Sequence, residues 1–219
     1  EQSQEEDVKT LDIKNSPYLI QYYVVPAGKT LNIDPGVTVL LPVYGVLEIN
    51  GSLNALGESD NRVSFLPHIS SKMWGTLKFN NSTSTLNFVN LKHGNSIPRL
   101  PQNQNGMIWA NNSNLTINNS LIWDSETNAI GGTGSVFNIS NSTIGADIKS
   151  QNLYGINIRG GVLSLDNVSF INLLVGVEGG CSDCPRPELH KTNMSDANFT
   201  NVDYIAEPLL DWWNAASST

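Results

Sequence analysis

The chain contains little charge, few cysteines and no long apolar run. Only 15% of its 219 residues are Asp, Glu, Lys or Arg, while 39% are hydrophobic. Disordered chains combine high charge with few apolar residues, so this composition predicts an ordered chain. No run approaches the roughly 18 apolar residues of a membrane-spanning helix, and we therefore expect no membrane span.

Acidic residues are missing from a long internal stretch. Residues 61–123 contain neither Asp nor Glu, although the chain as a whole has a net charge of −8. This stretch is either a weakly basic solvated side of the protein or a patch for an acidic partner. The overall acidity argues against nucleic-acid binding, because such binding needs a basic face.

Helical periodicity is absent as well. No segment of ten or more residues repeats its apolar positions every 3.6 residues. Short runs instead alternate apolar and polar residues and are separated by Gly, Pro, Asn and Asp. This pattern predicts strands of about three to five residues and an all-β fold.

A short pattern recurs in the second half of the chain: apolar, any residue, Asn or Asp, small, any residue, apolar. Its five copies begin at residues 86, 117, 139, 165 and 194. A short unit at this spacing predicts a stack of coils, each of which buries its apolar side against the next. The third position should form a ladder in which each side-chain amide bonds the one above and below. It holds Asn119, Asn141, Asn167 and Asp196, with Phe88 in the weaker first copy.

Two further segments carry a resemblance to a known family. Residues 25–39 (VPAGKTLNIDPGVTV) and 51–57 (GSLNALG), followed by Val63-Ser64-Phe65 and Trp74-Gly75, resemble the opening of right-handed parallel β-helix domains of extracellular proteins, the pectate-lyase-like solenoids. The Asn-containing repeats are similar to the later coils of that family. The resemblance implies one right-handed parallel β-helix of about seven or eight coils over residues 18–205. Residues 1–17 would be a polar acidic lead-in, and residues 206–219 a Trp-rich cap.

The chain is rich in potential glycosylation sites. Eleven Asn residues stand in Asn-x-Ser/Thr, the acceptor sequence for N-linked glycans. Asn141 and Asn167 lie on the repeat itself and are expected to be buried ladder residues without sugar. The other nine lie off the ladder and are the better candidates: Asn50, Asn80, Asn81, Asn111, Asn114, Asn118, Asn138, Asn193 and Asn198.

The two cysteines form the motif Cys181-Ser182-Asp183-Cys184. Flanking Gly and Pro residues indicate an exposed loop, where a structural disulfide is favoured over free thiols, a redox motif or half of a zinc site. His190 is the one nearby candidate for a third zinc ligand. A disulfide together with glycosylation sites predicts an extracellular or cell-surface location.

Catalytic chemistry has weak support in the sequence. Glycoside hydrolysis needs two carboxyl groups about 5–9.5 Å apart, and the best acidic cluster pairs Asp124 with Asp147 on successive coils, near Arg159. Trp109 and Trp123 could stack on sugar rings at the same face. Alternatively, the acidic residues are solvated turn residues and the aromatic residues pack in the core. No cofactor or metal site is expected.

The sequence therefore predicts a non-catalytic extracellular module for structure, adhesion or assembly. Its expected partners are other cell-surface proteins or further copies of itself, and glycans in addition. The alternative is a β-helix that binds or cleaves polysaccharide through the face of Asp124, Asp147 and Arg159.

Overall fold

Short strands stack on those of neighbouring coils to form a parallel β-helix. The computed structural model describes residues 8–94, 106–149, 153–179, 190–208 and 213–215. Within these ranges the helical structure is one 3-10 turn, Ile13–Asn15, and no helix is long and apolar enough to cross a membrane. The predicted all-β solenoid is confirmed. The predicted disulfide of Cys181 and Cys184 lies outside the described residues.

The described residues form 21 strands joined into one hydrogen-bonded network. In chain order they are β1 (Val8–Leu11), β2 (Tyr18–Leu19), β3 (Tyr22–Val25), β4 (Thr30–Ile33), β5 (Thr38–Leu41), β6 (Val46–Ile49), β7 (Ser52–Leu56), β8 (Val63–Pro67), β9 (Thr76–Asn80), β10 (Thr83–Asn87), β11 (Val89–Lys92), β12 (Ile108–Asn111), β13 (Asn114–Asn118), β14 (Leu121–Trp123), β15 (Asn128–Gly145), β16 (Tyr154–Ile171), β17 (Val175–Gly179), β18 (His190–Ser195), β19 (Asn198–Thr200), β20 (Tyr204–Pro208) and β21 (Trp213–Ala215).

Parallel pairing sorts these strands onto three faces. The first face carries β1, β4, β7, β10, β13, β18 and β21. The second carries β2, β5, β8, β11, β14 and β19. The third carries β3, β6, β9, β12, β17 and β20. Strands β15 and β16 have 18 residues each and bend through all three faces.

The pairings trace eight circuits, in agreement with the predicted seven or eight coils. We number these coils 1 to 8, and each contributes one strand to every face. Neighbouring parallel strands lie about 4.8 Å apart, so the first and last coils are separated by roughly 34 Å. The coils comprise residues 8–25, 30–49, 52–80, 83–111, 114–133, 136–159, 162–179 and 190–208.

The stack extends beyond the predicted solenoid limits of residues 18 and 205. Strand β1 pairs with β4, so residues 8–17 belong to the first coil and not to a separate lead-in. At the other end β20 runs to Pro208 and β21 pairs with β18. Strand β1 was not recognised in the sequence because polar residues alternate with apolar ones there. Only every second residue of a strand faces the core.

The core is a set of apolar columns that run the length of the solenoid. Leu115 pairs with Phe137, which pairs with Leu163 in the next coil, and all three are buried. Period-2 alternation sends such residues inward, and each fully buried side chain stabilises the fold by about 1.5–3 kcal/mol. In the last coils Phe170 stacks on Phe199 with ring centroids 5.0 Å apart.

Candidate functional site

The repeated Asn or Asp forms the corner between the first and second faces. Asn119, Asn141, Asn167 and Asp196 all have a left-handed backbone, with φ between 48° and 51°. Asn and Asp tolerate this conformation better than other residues with a Cβ. The repeated pattern therefore records a tight turn that recurs in each coil.

Side-chain amides join neighbouring coils at this corner. Asn167 Nδ2 donates to Asn141 Oδ1 at 2.9 Å, while Asn119 Nδ2 donates to Asn87 Oδ1 at 2.9 Å in the coil below. The expectation that Asn141 and Asn167 are buried is wrong, because both side chains are exposed. A left-handed corner residue directs its side chain outward, so the amides bond along the surface of the stack.

Phe88 replaces Asn in coil 4 and is held by a different contact. Its backbone is also left-handed, with φ of 49°. The Arg62 guanidinium lies 5.4 Å from the Phe88 ring centroid and donates to the Asn119 carbonyl oxygen at 2.6 Å. Arg62 therefore bridges coils 3, 4 and 5 at the position where the amide ladder is interrupted.

A buried serine ladder lies directly beside the exposed amides. Ser142 Oγ accepts a hydrogen bond from the Ser120 amide at 3.0 Å, and Ser120 Oγ accepts one from the Val89 amide at 3.2 Å. A second ladder uses Ser135 Oγ, which accepts from the Ser113 amide at 3.0 Å. Sequence reasoning missed both ladders. The small fourth position of the repeat was the signal for the first, whereas Ser113 and Ser135 lie outside the repeat.

The predicted glycan acceptors differ in accessibility. Asn80 Nδ2 donates to Asn50 Oδ1 at 3.0 Å and to Glu48 at 3.1 Å, so Asn50 and Asn80 form an amide pair of their own. Asn118 Oδ1 accepts from Ser140 at 2.8 Å. These three and Asn111 are half-buried. The exposed candidates are Asn81, Asn114, Asn138, Asn193 and Asn198, together with the ladder residues Asn141 and Asn167.

The acidic cluster lies at the corner between the second and third faces. Asp124 Oδ1 accepts the Asp147 amide at 2.8 Å, and Asp147 Oδ1 accepts the Trp123 indole N–H at 2.8 Å. Asp124 has a left-handed backbone with φ of 55°. These contacts give both carboxylates a structural role in turning the chain from one face to the next.

Two of the residues predicted for this face lie elsewhere. Arg159 pairs with Thr133 at the far end of the third face, a strand length of about 17 Å from the acidic corner. Trp109 is only 5% exposed, so it cannot serve as a platform for a sugar ring. Trp123 is half-buried and remains beside the two carboxylates.

A shallow hollow opens beside Asp124 and Asp147. Its volume is about 380 Å³, and His93, Glu126, Ile148 and Leu153 contribute to its lining. Among the described residues, no group of three or more His, Cys, Asp and Glu side chains could hold a metal ion.

Exposed apolar side chains gather along the same corner. Seven of the nine large apolar residues that are exposed in the described chain lie there, and the other two, Ile13 and Leu56, lie elsewhere. We call these seven residues the apolar edge. They are Leu19, Tyr22, Val43, Tyr44, Ile69, Ile148 and Tyr204, with exposures from 36% for Val43 to 82% for Ile148.

No known protein-family model, curated protein or solved structure matches this chain. The resemblance to pectate-lyase-like domains is therefore supported by the parallel β-helix architecture alone.

Proposed function

We propose that this chain is a non-catalytic extracellular module that acts through protein contacts in adhesion or assembly at a cell surface. The apolar edge is the observation that carries this proposal. Apolar residues scattered singly over a surface need no explanation, whereas exposed apolar residues gathered on one edge point to an interaction site. Its members lie in coils 1, 2, 3, 6 and 8, so a partner would contact several coils on one side of the stack.

The bonding of the acidic residues supports a non-catalytic role. A glycosidase needs one carboxyl group free to protonate the leaving group and a second to act on the sugar ring. Asp124 and Asp147 instead each accept a hydrogen bond from the turn that they stabilise. Arg159, the cation predicted beside them, lies on another part of the solenoid.

An extracellular location is supported by the exposed acceptor sites. Asn81, Asn114, Asn138, Asn193 and Asn198 are exposed, and N-linked glycans attach to accessible Asn-x-Ser/Thr sites of secreted proteins. Intact mass and glycopeptide mapping of natively purified protein test this part of the proposal. Glycans at several of these residues are expected, and an unmodified protein would contradict the predicted location.

Cross-linking in the native source tests the module function. Wild-type protein and an Ile69→Asp/Ile148→Asp variant would be added to extracts of its source, cross-linked and analysed by mass spectrometry. A protein partner should be captured by the wild type and lost with the variant, and the purified partner should show the same preference. Equal binding of both forms by every purified partner would refute the role of the apolar edge.

Glycan binding is the second candidate, and the hollow lined by Asp124 and Asp147 favours it, since Trp123 donates a hydrogen bond to Asp147. A site of about 380 Å³ is large enough for a sugar unit, since ligand sites occupy about 300–1,000 Å³. Asp124, Glu126 and Asp147 would repel acidic polysaccharides and favour neutral or amino sugars. Titration of Trp fluorescence with chitosan oligosaccharides tests this candidate: a saturable change that is lost in Glu126→Gln supports it, and an unchanged signal rejects it.

A further inference from the structure

Charge divides the apolar edge into two halves of opposite sign. In coils 1–4 the described residues of this corner and of the second-face strand ends include Lys72 and Lys92 and no acidic residue. Glu48, on the adjoining strand β6, accepts a hydrogen bond from Tyr22 and is neutralised by Lys78 at 3.8 Å. In coils 5–8 the same corner carries Asp124, Glu126 and Asp147. Lys149 also lies in the acidic half, where it pairs with Asp203.

The basic half and the acidic half lie on the same edge of one chain, so two copies can pair through opposite charges. If two copies align antiparallel, the basic half of each faces the acidic half of the other. A parallel alignment would instead place like charges opposite each other, which disfavours association. Antiparallel alignment also produces a closed two-fold contact, in which both copies use the same surface.

The positions of the apolar residues fit this alignment. With eight coils, a two-fold axis between coils 4 and 5 places coil 3 opposite coil 6, and coil 1 opposite coil 8. Ile69 in coil 3 would then face Ile148 of the second copy, and Tyr204 in coil 8 would face Leu19 and Tyr22. Five of the seven edge residues thus meet edge residues of the second copy, while Val43 and Tyr44 in coil 2 face coil 7.

Charged residues follow the same register. Coil 4, which ends its second-face strand at Lys92, lies opposite coil 5, which carries Glu126. Lys72 in coil 3 lies opposite Asp147 in coil 6. Lys72 and Glu126 are exposed, so they can reach across to a second copy.

We propose that this chain self-associates through the apolar edge as an antiparallel dimer in which coil n of one copy faces coil 9 − n of the other. This inference rests on the proposed assembly function and names a second copy as the partner. The dimer buries the exposed apolar residues of both copies and aligns them by charge.

Sedimentation velocity over a range of concentrations tests the association itself. A monomer–dimer equilibrium is expected for the wild type. Ile148→Asp should weaken it at least tenfold, because it places a charge in the apolar contact. Leu56→Asp is the matched control, since Leu56 is 46% exposed and lies outside the edge. A monomer at all concentrations, or equal effects of the two substitutions, would overturn the proposal.

Charge reversal tests the antiparallel alignment. Lys92→Glu alone should weaken the dimer, and adding Glu126→Lys should restore it, because residue 92 in coil 4 of one copy again faces a charge of opposite sign in coil 5 of the other. Failure of the second substitution to rescue the first would exclude this register. Glu126 is exposed and Lys92 is half-buried at the end of its strand, so circular dichroism should show the same fold in all variants.

Zero-length carbodiimide cross-linking of mixed ¹⁴N- and ¹⁵N-labelled protein gives a direct readout of the register. Isotopically mixed cross-links from Lys72 to Asp147 and from Lys92 to Glu126 are expected in the dimer band. Mixed cross-links that join other regions of the two copies would contradict the alignment. If the chain is monomeric but its apolar edge still binds a purified partner, this inference fails while the proposed module function stands.

Discussion

The ammonium nitrogen of Lys9 lies 4.6 Å from the centroid of the Tyr23 ring. Both residues occupy columns that are filled by apolar side chains in the next coil, since Lys9 pairs with Leu31 and Tyr23 with Leu47. The first coil thus places amphipathic residues where the core would otherwise meet water. This contact places a cation over an aromatic ring at the outer side of the first coil.

Replacing Lys9 with Leu should make the protein associate through this end. The substitution extends an apolar column to the outer side of the first coil, whose strands pair on that side with no strand of the described residues. Solenoids need polar terminal coils to prevent end-to-end association. Light scattering should detect species larger than those of the wild type, without a lower unfolding midpoint. Lys9→Arg keeps the charge and is the control. If Lys9→Leu matched the wild type in size at all concentrations, the capping role of Lys9 would be disproved.

Ser142→Ala should destabilise the fold although it removes only one oxygen atom. The Ser142 hydroxyl accepts the Ser120 amide and donates to the Ser140 carbonyl at 2.7 Å, within a buried site. Its loss leaves a buried N–H without a partner, which costs about 1–3 kcal/mol. Urea unfolding measures the change. Ser164→Ala, at a half-buried position of the first face, should change stability by much less, and equal losses would argue against the ladder.

Gly145→Ala should disrupt the acidic corner through its backbone. A Cβ at this position would lie 2.5 Å from the Ile171 carbonyl oxygen and 2.8 Å from the Trp123 ring. Because a backbone carbonyl cannot easily move aside, we expect a loss of about 1–3 kcal/mol and a shift in Trp fluorescence. Gly179→Ala meets no atom within 4 Å and serves as the control. A Gly145→Ala protein as stable as this control would contradict the close packing of coils 6 and 7.

Tyr22 should link stability to alkaline pH. Partial desolvation, followed by the negative charge of Glu48 and its hydrogen bond with the phenol, raises the Tyr22 pKa above its usual value of 10.0. The folded state therefore holds the proton more tightly than the unfolded state. This contribution to stability is complete below pH 10 and is lost as the pH rises through the folded pKa. Phenolate absorbance compared with Tyr22→Phe gives the pKa, which Glu48→Gln should lower; a value at or below 10 would contradict the contact.

The repeats in the sequence were sufficient to predict the solenoid. An Asn or Asp every 22–29 residues marks a left-handed corner, and the apolar residues on either side of it mark the strands that enter and leave the corner. Whether the corner Asn side chains are buried or exposed was harder to infer, since the same sequence pattern fits an amide that points into the core or out to solvent. Asn141 is exposed whereas its neighbour Ser142 is buried, a difference set by the direction of the turn.

The candidate site depended on contacts between coils that spacing alone does not reveal. Asp124 and Asp147 were expected to lie near each other, and they do lie on neighbouring coils. Arg159 was wrongly assigned to the same face. It stands at the far end of a third-face strand that leads away from the acidic corner, and the spacing of residues in the sequence does not reveal the direction of that strand. The apolar edge escaped notice because its seven members lie at irregular intervals in corners of different length.

Strands β15 and β16 pair at fifteen positions around an almost complete circuit of the solenoid. Elsewhere the pairing is broken into strands of two to six residues. Coils at either end can therefore fray one at a time, while opening the centre requires a long ladder to separate at once. Amide hydrogens of β15 and β16 should exchange with solvent most slowly, and the chain under tension should pause where these two strands meet.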